Sequence, residues 1–172
     1  LHKLLVGLRD AFRYCGNPAA LEIAIKVATW LESVLAGLAP DQIQTMLATE
    51  HGGMNEVLAD LTSDSGDPRF LAMASRCFHH AKVLEPMFRG EDRLNGLHGN
   101  TQIPKVVGLA REFELAGNPL YQKATLTFWD HVVNHRSYVI GGHGESEHFF
   151  PVEQFPQRLT PNTCETCNTY NL

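Results

Sequence analysis

Apolar residues recur along the chain at the three-to-four-residue spacing of helices that bury one face. Three such stretches each precede a corner, and each corner is followed by a longer apolar stretch, over residues 23–38, 70–84 and 121–133. The spaced apolar positions are Leu4, Leu5, Leu8 and Phe12, then Met54, Val57, Leu58 and Leu61, and then Ile103, Val106, Val107 and Ala110. The pattern predicts six helices in three hairpins. It predicts no strand, because the β-rich stretch at residues 137–140 is too short.

A Gly-Asn/Asp-Pro tripeptide marks each corner, and successive copies are 50 and 51 residues apart. Glycine supplies the left-handed residue that ends one helix, asparagine or aspartate caps the next helix, and proline fits its first turn. The copies are Gly16-Asn17-Pro18, Gly66-Asp67-Pro68 and Gly117-Asn118-Pro119. The predicted fold class is therefore all-α, built from helical-hairpin repeats that stack into an open solenoid or close into a ring.

Composition narrows the class of partner. The chain has 172 residues and a net charge of −5, with no run of basic residues, so we expect neither a nucleic acid nor a membrane as partner. No apolar stretch is long enough to span a membrane, no signal peptide is visible, and a chain that begins at Leu1 is expected to be an excerpt. Four cysteines are too few and too uneven for a disulfide-stabilised small domain. The compartment, cytoplasmic or secreted, stays open.

Three His-Gly loops recur in the same register as the hairpins. They are His51-Gly52, His98-Gly99 and His143-Gly144, at spacings of 47 and 45 residues. Equivalent positions of a stacked repeat lie on one edge, so these histidines and residues 145–148 are expected to face one pocket. Taken singly, a loop histidine is more often a solvated or capping residue. The pair His79-His80 is expected at the surface.

The last thirty residues hold the densest candidate chemistry. Glu147 lies in a glycine-rich stretch beside two phenylalanines, where loss of solvent would favour a general acid. The Cys164-x-x-Cys167 pair resembles half of a zinc site or a dithiol redox motif, and a thioredoxin-like role is disfavoured because no βα context surrounds it. If zinc is bound, its other ligands are Glu165 and histidines, or residues outside this chain.

Several segments together resemble glycoside hydrolase families 127 and 146, the β-L-arabinofuranosidases, formerly domain-of-unknown-function group 1680. They span nearly the whole chain: His51-Gly52-Gly53-Met54-Asn55-Glu56-Val57-Leu58-Ala59-Asp60-Leu61, Leu97-His98-Gly99-Asn100-Thr101-Gln102-Ile103-Pro104-Lys105, Tyr138-Val139-Ile140-Gly141-Gly142, Glu147-His148-Phe149 and Glu165-Thr166-Cys167-Asn168-Thr169-Tyr170-Asn171. The resemblance implies an (α/α)6 toroid with accessory β-sandwich domains. Residues 1–172 would be a partial catalytic domain, about half of that ring, with sequence missing on both sides.

The same resemblance implies a reaction and its residues. The family hydrolyses β-L-arabinofuranosides with retention, through a glycosyl-cysteine, with a glutamate as acid/base and zinc holding the cysteine as thiolate. Glu147 matches the acid/base, Glu165 and Cys167 match two zinc ligands, and His98 matches a sugar-contacting histidine. His51, Asn100, Gln102 and His143 are further substrate-binding candidates.

The family's nucleophilic cysteine and its last cysteine ligand lie C-terminal to the Glu-x-Cys motif, whereas this chain stops at Leu172. We therefore expect the full-length protein to be a glycosidase acting on a plant-type carbohydrate and residues 1–172 alone to be inactive. The family pattern has no counterpart of Cys164, which is either a neighbour of the zinc ligands or a substitute zinc ligand.

The alternative function is a non-catalytic helical-repeat module that binds carbohydrate or protein. It explains the hairpin corners equally well, but it does not require glutamates, glycines and a Glu-x-Cys motif close together. A half-ring would also expose apolar faces, so we expect the segment to self-associate.

Overall fold

Nine α-helices form in the computed structural model, which describes residues 1–49 and 51–172. The helices are α1 (His2–Cys15), α2 (Pro18–Leu35), α3 (Pro40–Thr49), α4 (Met54–Ser65), α5 (Pro68–Phe78), α6 (Ala81–Arg89), α7 (Gly99–Ala116), α8 (Pro119–Trp129) and α9 (Thr166–Asn171). A π-helical turn, Asp130–Asn134, and a 3-10 helix, Val152–Gln157, complete the set. The described residues form no strand, so the all-α prediction is confirmed. Closure into a toroid stays a prediction.

The three tripeptide corners form hairpins as predicted. Gly16 ends α1 at φ 65° and donates its N–H to the carbonyls of the last turn, while the side chain of Asn17 accepts from the N–H of Ala19 at the start of α2. Pro18 occupies the first position of α2, where no intrahelical N–H is needed. Gly66 with Asp67, and Gly117 with Asn118, repeat this arrangement at the α4–α5 and α7–α8 corners.

The predicted helix over residues 70–84 is wrong, because it is broken into α5 and α6 at His79 and His80. Both residues have extended backbones, with ψ values of 102° and 101°. The side chain of Gln44, on α3, donates to the His79 carbonyl at 3.0 Å and accepts from the Ala81 N–H at 2.9 Å. One amide therefore satisfies the two backbone groups that the break exposes.

The helices form two rows. Helices α1, α4, α7 and α9 are successive neighbours and are here called the inner row, while α2, α5 and α8 are the second helices of the hairpins. One apolar core joins α1–α5 and includes Leu58, Phe70 and Met73; a second joins α6–α8 and includes Leu84 and Leu109. Within the described part of the chain, no helix is both long and apolar enough to cross a membrane.

A buried polar contact links α4 to α7 at the centre of the inner row. Asn55 donates through Nδ2 to the Lys105 carbonyl at 2.9 Å and to Glu112 Oε1 at 3.2 Å. Glu112 is fully buried and also accepts from the Ser75 hydroxyl at 2.7 Å. Gly108 makes the approach possible, since a Cβ atom there would overlap the Asn55 amide. The helix pair is thus held by polar groups that a larger residue would separate.

The His79-His80 pair is not at the surface, which corrects the prediction. His79 lies 2.9 Å from both carboxylate oxygens of Glu112, and His80 is 6% exposed, with Nδ1 accepting from Lys105 Nζ at 2.9 Å. Burial, together with the positive charge of Lys105, lowers the pKa of His80 to about 4. The His80 ring is therefore neutral near pH 7. The break between α5 and α6 directs both imidazole rings toward the interior.

We predict opposite effects for alanine at two helix-interior glycines. Gly108→Ala should lower the free energy of unfolding by about 1–3 kcal/mol, because the new methyl group displaces the Asn55 amide from its partners. Gly7→Ala, in α1, should raise it by about 0.5–1 kcal/mol, because no atom lies within 4 Å of the new methyl group and alanine favours helix. Urea unfolding of both variants tests this. A Gly108→Ala protein as stable as the parent would contradict the packing described between α4 and α7.

Candidate active site

A cleft of about 1110 Å³ runs along the inner row. Part of its polar lining comes from the beginnings of inner-row helices: His51 before α4, Asn100 in the first turn of α7, and Thr166 and Cys167 at the start of α9. Arg9 and Asp60, farther along α1 and α4, also contribute charged groups to the lining. Apolar side chains complete the lining, among them Val57 of α4 in the inner row and Phe78 of α5. Apolar walls with a few convergent polar groups are typical of a small-molecule site.

His98 is the N-cap of α7, and this role fixes the proton on its ring. Its Nδ1 accepts from the backbone N–H of Thr101 at 3.3 Å, so the neutral ring carries its proton on Nε2. Nε2 faces Glu147 Oε2 at 3.5 Å. The structure therefore brings together the loop histidine and the glutamate that the sequence separates by nearly fifty residues.

Glu147 is held against α7 by backbone pairing. The Gly99 N–H donates to the Glu147 carbonyl at 2.7 Å, and the Phe149 N–H donates to the Leu97 carbonyl at 2.9 Å. Ser146 and Glu147 both adopt left-handed backbones, with φ values of 46° and 67°. Such backbones cost about 1–2 kcal/mol for a residue with a Cβ atom, and they cluster at functional sites.

Glu145 and Glu147 lie two residues apart and have different environments. Glu145 forms an ion pair with Arg158 at 2.6 Å, and its side chain is 24% exposed. The Glu147 side chain is 56% exposed, and its partner is the His98 ring. Of these two carboxylates, the one on Glu147 remains available to a ligand.

Glu165 and Cys167 form a second polar group at the start of α9. The Glu165 side chain accepts from the Asn168 N–H at 3.0 Å and hydrogen-bonds with Cys167. This contact lowers the pKa of Glu165 and raises that of the Cys167 thiol. Cys164 points elsewhere, since its Sγ packs against Gly142.

The donor set at α9 fits part of a zinc site. Carboxylate and thiolate are both zinc ligands, and a closed zinc site takes four. Among residues 1–49 and 51–172, no three His, Cys, Asp or Glu side chains are arranged to hold a metal ion. Glu165 and Cys167 therefore fit two ligand positions, and the others are not supplied by the described residues.

The structure separates the sequence-derived substrate candidates into two sets. His51 and Asn100 line the cleft, where Asn100 also bonds to Asn171. His98 and Glu147 are not among its lining residues and face each other beside it, at the start of α7. Gln102 and His143 are buried, at 6% and 0% exposure, and do not line it. The His143 ring stacks on Phe149, and burial lowers its pKa, so it is neutral behind the loop that carries Glu147.

Sequence reasoning missed Glu56 and Asn168 as individual candidates. Glu56 lies in the cleft in the first turn of α4, and burial and then the charge of Asp60 raise its pKa. The feature that could have identified Glu56 is an acidic side chain in a helical turn whose other residues are buried. Asn168 is fully buried against Gly99 and Gly144, where it separates α7 from the Glu147 loop, and nothing local in the sequence indicates that position.

The chain was compared with protein-family models and with curated proteins. The family model described as "Beta-L-arabinofuranosidase, GH127 catalytic domain" matches residues 1–172. No curated protein matches the chain.

We predict that two glycines of this loop differ in their tolerance of alanine. Gly141 and Gly144 both have left-handed backbones, with φ values of 83° and 81°. A Cβ at Gly144 would lie 3.0 Å from the His148 carbonyl oxygen, whereas at Gly141 it would lie 3.6 Å from Thr169. Gly141→Ala should cost about 1–2 kcal/mol of unfolding free energy from the backbone alone, and Gly144→Ala should cost at least about 1 kcal/mol more. Thermal unfolding compares them, and equal losses would show that the His148 contact is unimportant.

Proposed function

We propose a function from the premise that the chain belongs to the family of β-L-arabinofuranosidase GH127 catalytic domains, which are glycoside hydrolases. The proposed reaction is hydrolysis, with retention, of a terminal β-linked L-arabinofuranose from a plant-type carbohydrate. The family match over residues 1–172 carries this conclusion, and the 3.5 Å approach of His98 Nε2 to Glu147 Oε2 supports the placement of its acid/base.

Glu147 is the proposed acid/base. In the first step its carboxylic acid would donate a proton to the oxygen of the departing group, and in the second its carboxylate would take a proton from water. One feature supports the role: unlike Glu145, Glu147 has no arginine or lysine partner. Its side chain is 56% exposed, so the loss of solvent expected from the neighbouring phenylalanines is not found in the described residues. The His98 Nε2–H, whose position on the ring is set by the α7 cap, would lie beside the Glu147 carboxyl group in both steps.

The proposed sugar-binding residues fall into an accessible group and a buried group. His51, His98 and Asn100 reach solvent or the cleft and would hydrogen-bond to sugar hydroxyls. Gln102 and His143, which are buried, would act behind them by holding the start of α7 and the Glu147 loop. A sugar that lacks one of these hydroxyl groups would leave a polar group of the site unpaired, so we expect it to bind more weakly.

Zinc is the proposed cofactor, with Glu165 and Cys167 as two of its ligands. Bound zinc would favour the thiolate form of its cysteine ligands. We place the remaining cysteine ligands, and the cysteine nucleophile, outside residues 1–172, which is why these residues alone are proposed to be inactive. The chain's own contribution is to hold the Glu165 carboxylate at the cap of α9 and the Cys167 thiol in the cleft.

We predict that Glu147→Gln in the full-length protein lowers kcat on an alkyl β-L-arabinofuranoside by about 10²–10⁴-fold, because the amide cannot transfer the proton. Glu145→Gln is the matched control. Its carboxylate is committed to Arg158, so kcat should change by less than about tenfold. Steady-state kinetics measures both.

The leaving group separates acid catalysis from misfolding. An aryl arabinofuranoside with a strongly acidic phenol leaves without protonation, so Glu147→Gln should form product from it with a much smaller deficit in the first step. An equal deficit on alkyl and activated aryl substrates would remove Glu147 from the role of general acid.

We predict that Cys167→Ser in the full-length protein reduces bound zinc at least tenfold, because a hydroxyl is a poor replacement for a thiolate ligand. Cys164→Ser is the control: its Sγ packs on Gly142, so zinc content should stay that of the parent. Elemental analysis of the purified proteins measures both. Zinc lost from the Cys164 variant and kept by the Cys167 variant would reverse the assignment.

A further inference from the structure

Glu56 is a carboxylate in the cleft that the proposed chemistry does not use. It lies in the first turn of α4, half-buried, and shares the cleft lining with Asn100 and Cys167. The residues next to it, Asn55 and Val57, are buried in the helix packing. Its side chain is therefore the polar group that this turn presents to the cleft.

No hydrogen bond or ion pair in the described part of the chain holds the Glu56 carboxyl, although the positive charges of Arg9, Lys3 and Arg111 attract it. It accepts no hydrogen bond there and has no ion pair within 4.0 Å. The nearby arginines are committed to other acids: Arg9 binds Asp60 at 2.5 Å and Asp64 at 2.6 Å. Arg111 binds Asp60 at 2.7 Å. The Arg9 Nη2 atom is buried without a partner and does not pair with Glu56.

This placement does not stabilise the folded chain. Partial burial of an unpaired carboxylate is unfavourable, and Asp60, one helical turn away, adds repulsion. The N-terminus of α4 offsets only part of that cost. A polar group kept at a cost in a cleft is typical of a binding residue rather than of a structural one.

We propose that Glu56 binds hydroxyl groups of the sugar that occupies this cleft and is a specificity-determining residue of the enzyme. The inference rests on the proposed function for the identity of the ligand. A carboxylate has two oxygens that accept hydrogen bonds, which suits two hydroxyl groups on neighbouring carbons of a sugar. The cleft is large enough for a sugar and part of its leaving group.

The test compares Glu56→Gln with the parent in the full-length protein. Glutamine keeps the shape but loses the charge and one acceptor, so kcat/KM on p-nitrophenyl β-L-arabinofuranoside should fall by about 10- to 100-fold. The melting temperature should be unchanged or higher, because the desolvated charge and the Asp60 repulsion are removed. Glu22→Gln, at an exposed position of α2, should change neither quantity.

Deoxy substrates identify the hydroxyl groups. On the 2-, 3- and 5-deoxy analogues, the difference between parent and Glu56→Gln should shrink for each analogue that lacks a contacted hydroxyl. A constant difference across all analogues, or an unchanged kcat/KM on the parent substrate, would overturn the proposal. A large fall in melting temperature would also overturn it, since Glu56 would then be structural, with the charges of Arg9 and Lys3 as its candidate partners.

The two proposals fail in different ways. If the parent protein hydrolyses no arabinofuranoside, the proposed function fails, and calorimetric titration with L-arabinose and D-galactose then decides the role of Glu56. Weaker binding of either sugar by Glu56→Gln supports that role. Equal binding by both proteins, or no binding by either, overturns it.

Discussion

The antiparallel backbone contact between residues 97–99 and 147–149 is the constraint on which the candidate site depends. It joins the start of α7 to a loop nearly fifty residues later and sets Glu147 beside His98. Beside this contact, Ser146 and Glu147 adopt left-handed backbones. Arg136, which is 1% exposed, supports the next residues by donating to the Phe150 carbonyl while it pairs with Asp92. Strain at the site is thus balanced by hydrogen bonds outside it.

Close approach between helices depends on small residues and buried amides. Gly108 admits the Asn55 amide between α4 and α7, and Gly99 admits the Asn168 amide between α7 and α9. In both places, the polar group lies where two inner-row helices meet. The Asn55 amide specifies one alignment of α4 and α7 better than apolar contacts alone, because a shifted helix would leave it unpaired. The Asn168 side-chain amide has no hydrogen-bond partner among the described residues, and it fixes the helix spacing by its size. The row that lines the cleft is therefore defined by polar contacts as well as by its apolar core.

The acids in and around the cleft differ in their partners, and this difference separates structural acids from functional ones. Asp60 and Asp64 are paired with arginines and tie α1, α4 and α7 together. Glu56 and Glu147 have no such partner. Paired acids support the scaffold, whereas unpaired acids in a cleft are free to meet a ligand. On this view, stability and binding are assigned to different carboxylates of the same surface.

Local sequence determined the hairpins, because the contacts that end and begin a helix lie within a few residues: Gly16 and Asn17 bond only to nearby backbone groups, and the tripeptide predicts them. The pairing of His98 with Glu147 followed from the repeat register and the family motifs. Tertiary structure alone decided that Gln44 bonds to the backbone exposed where the helix breaks at His79, that Gln102 and His143 are buried, and that Glu56 lines the cleft without an ion pair. Burial and partner choice depend on segments far apart along the chain, and no local pattern of residue types records which segments meet.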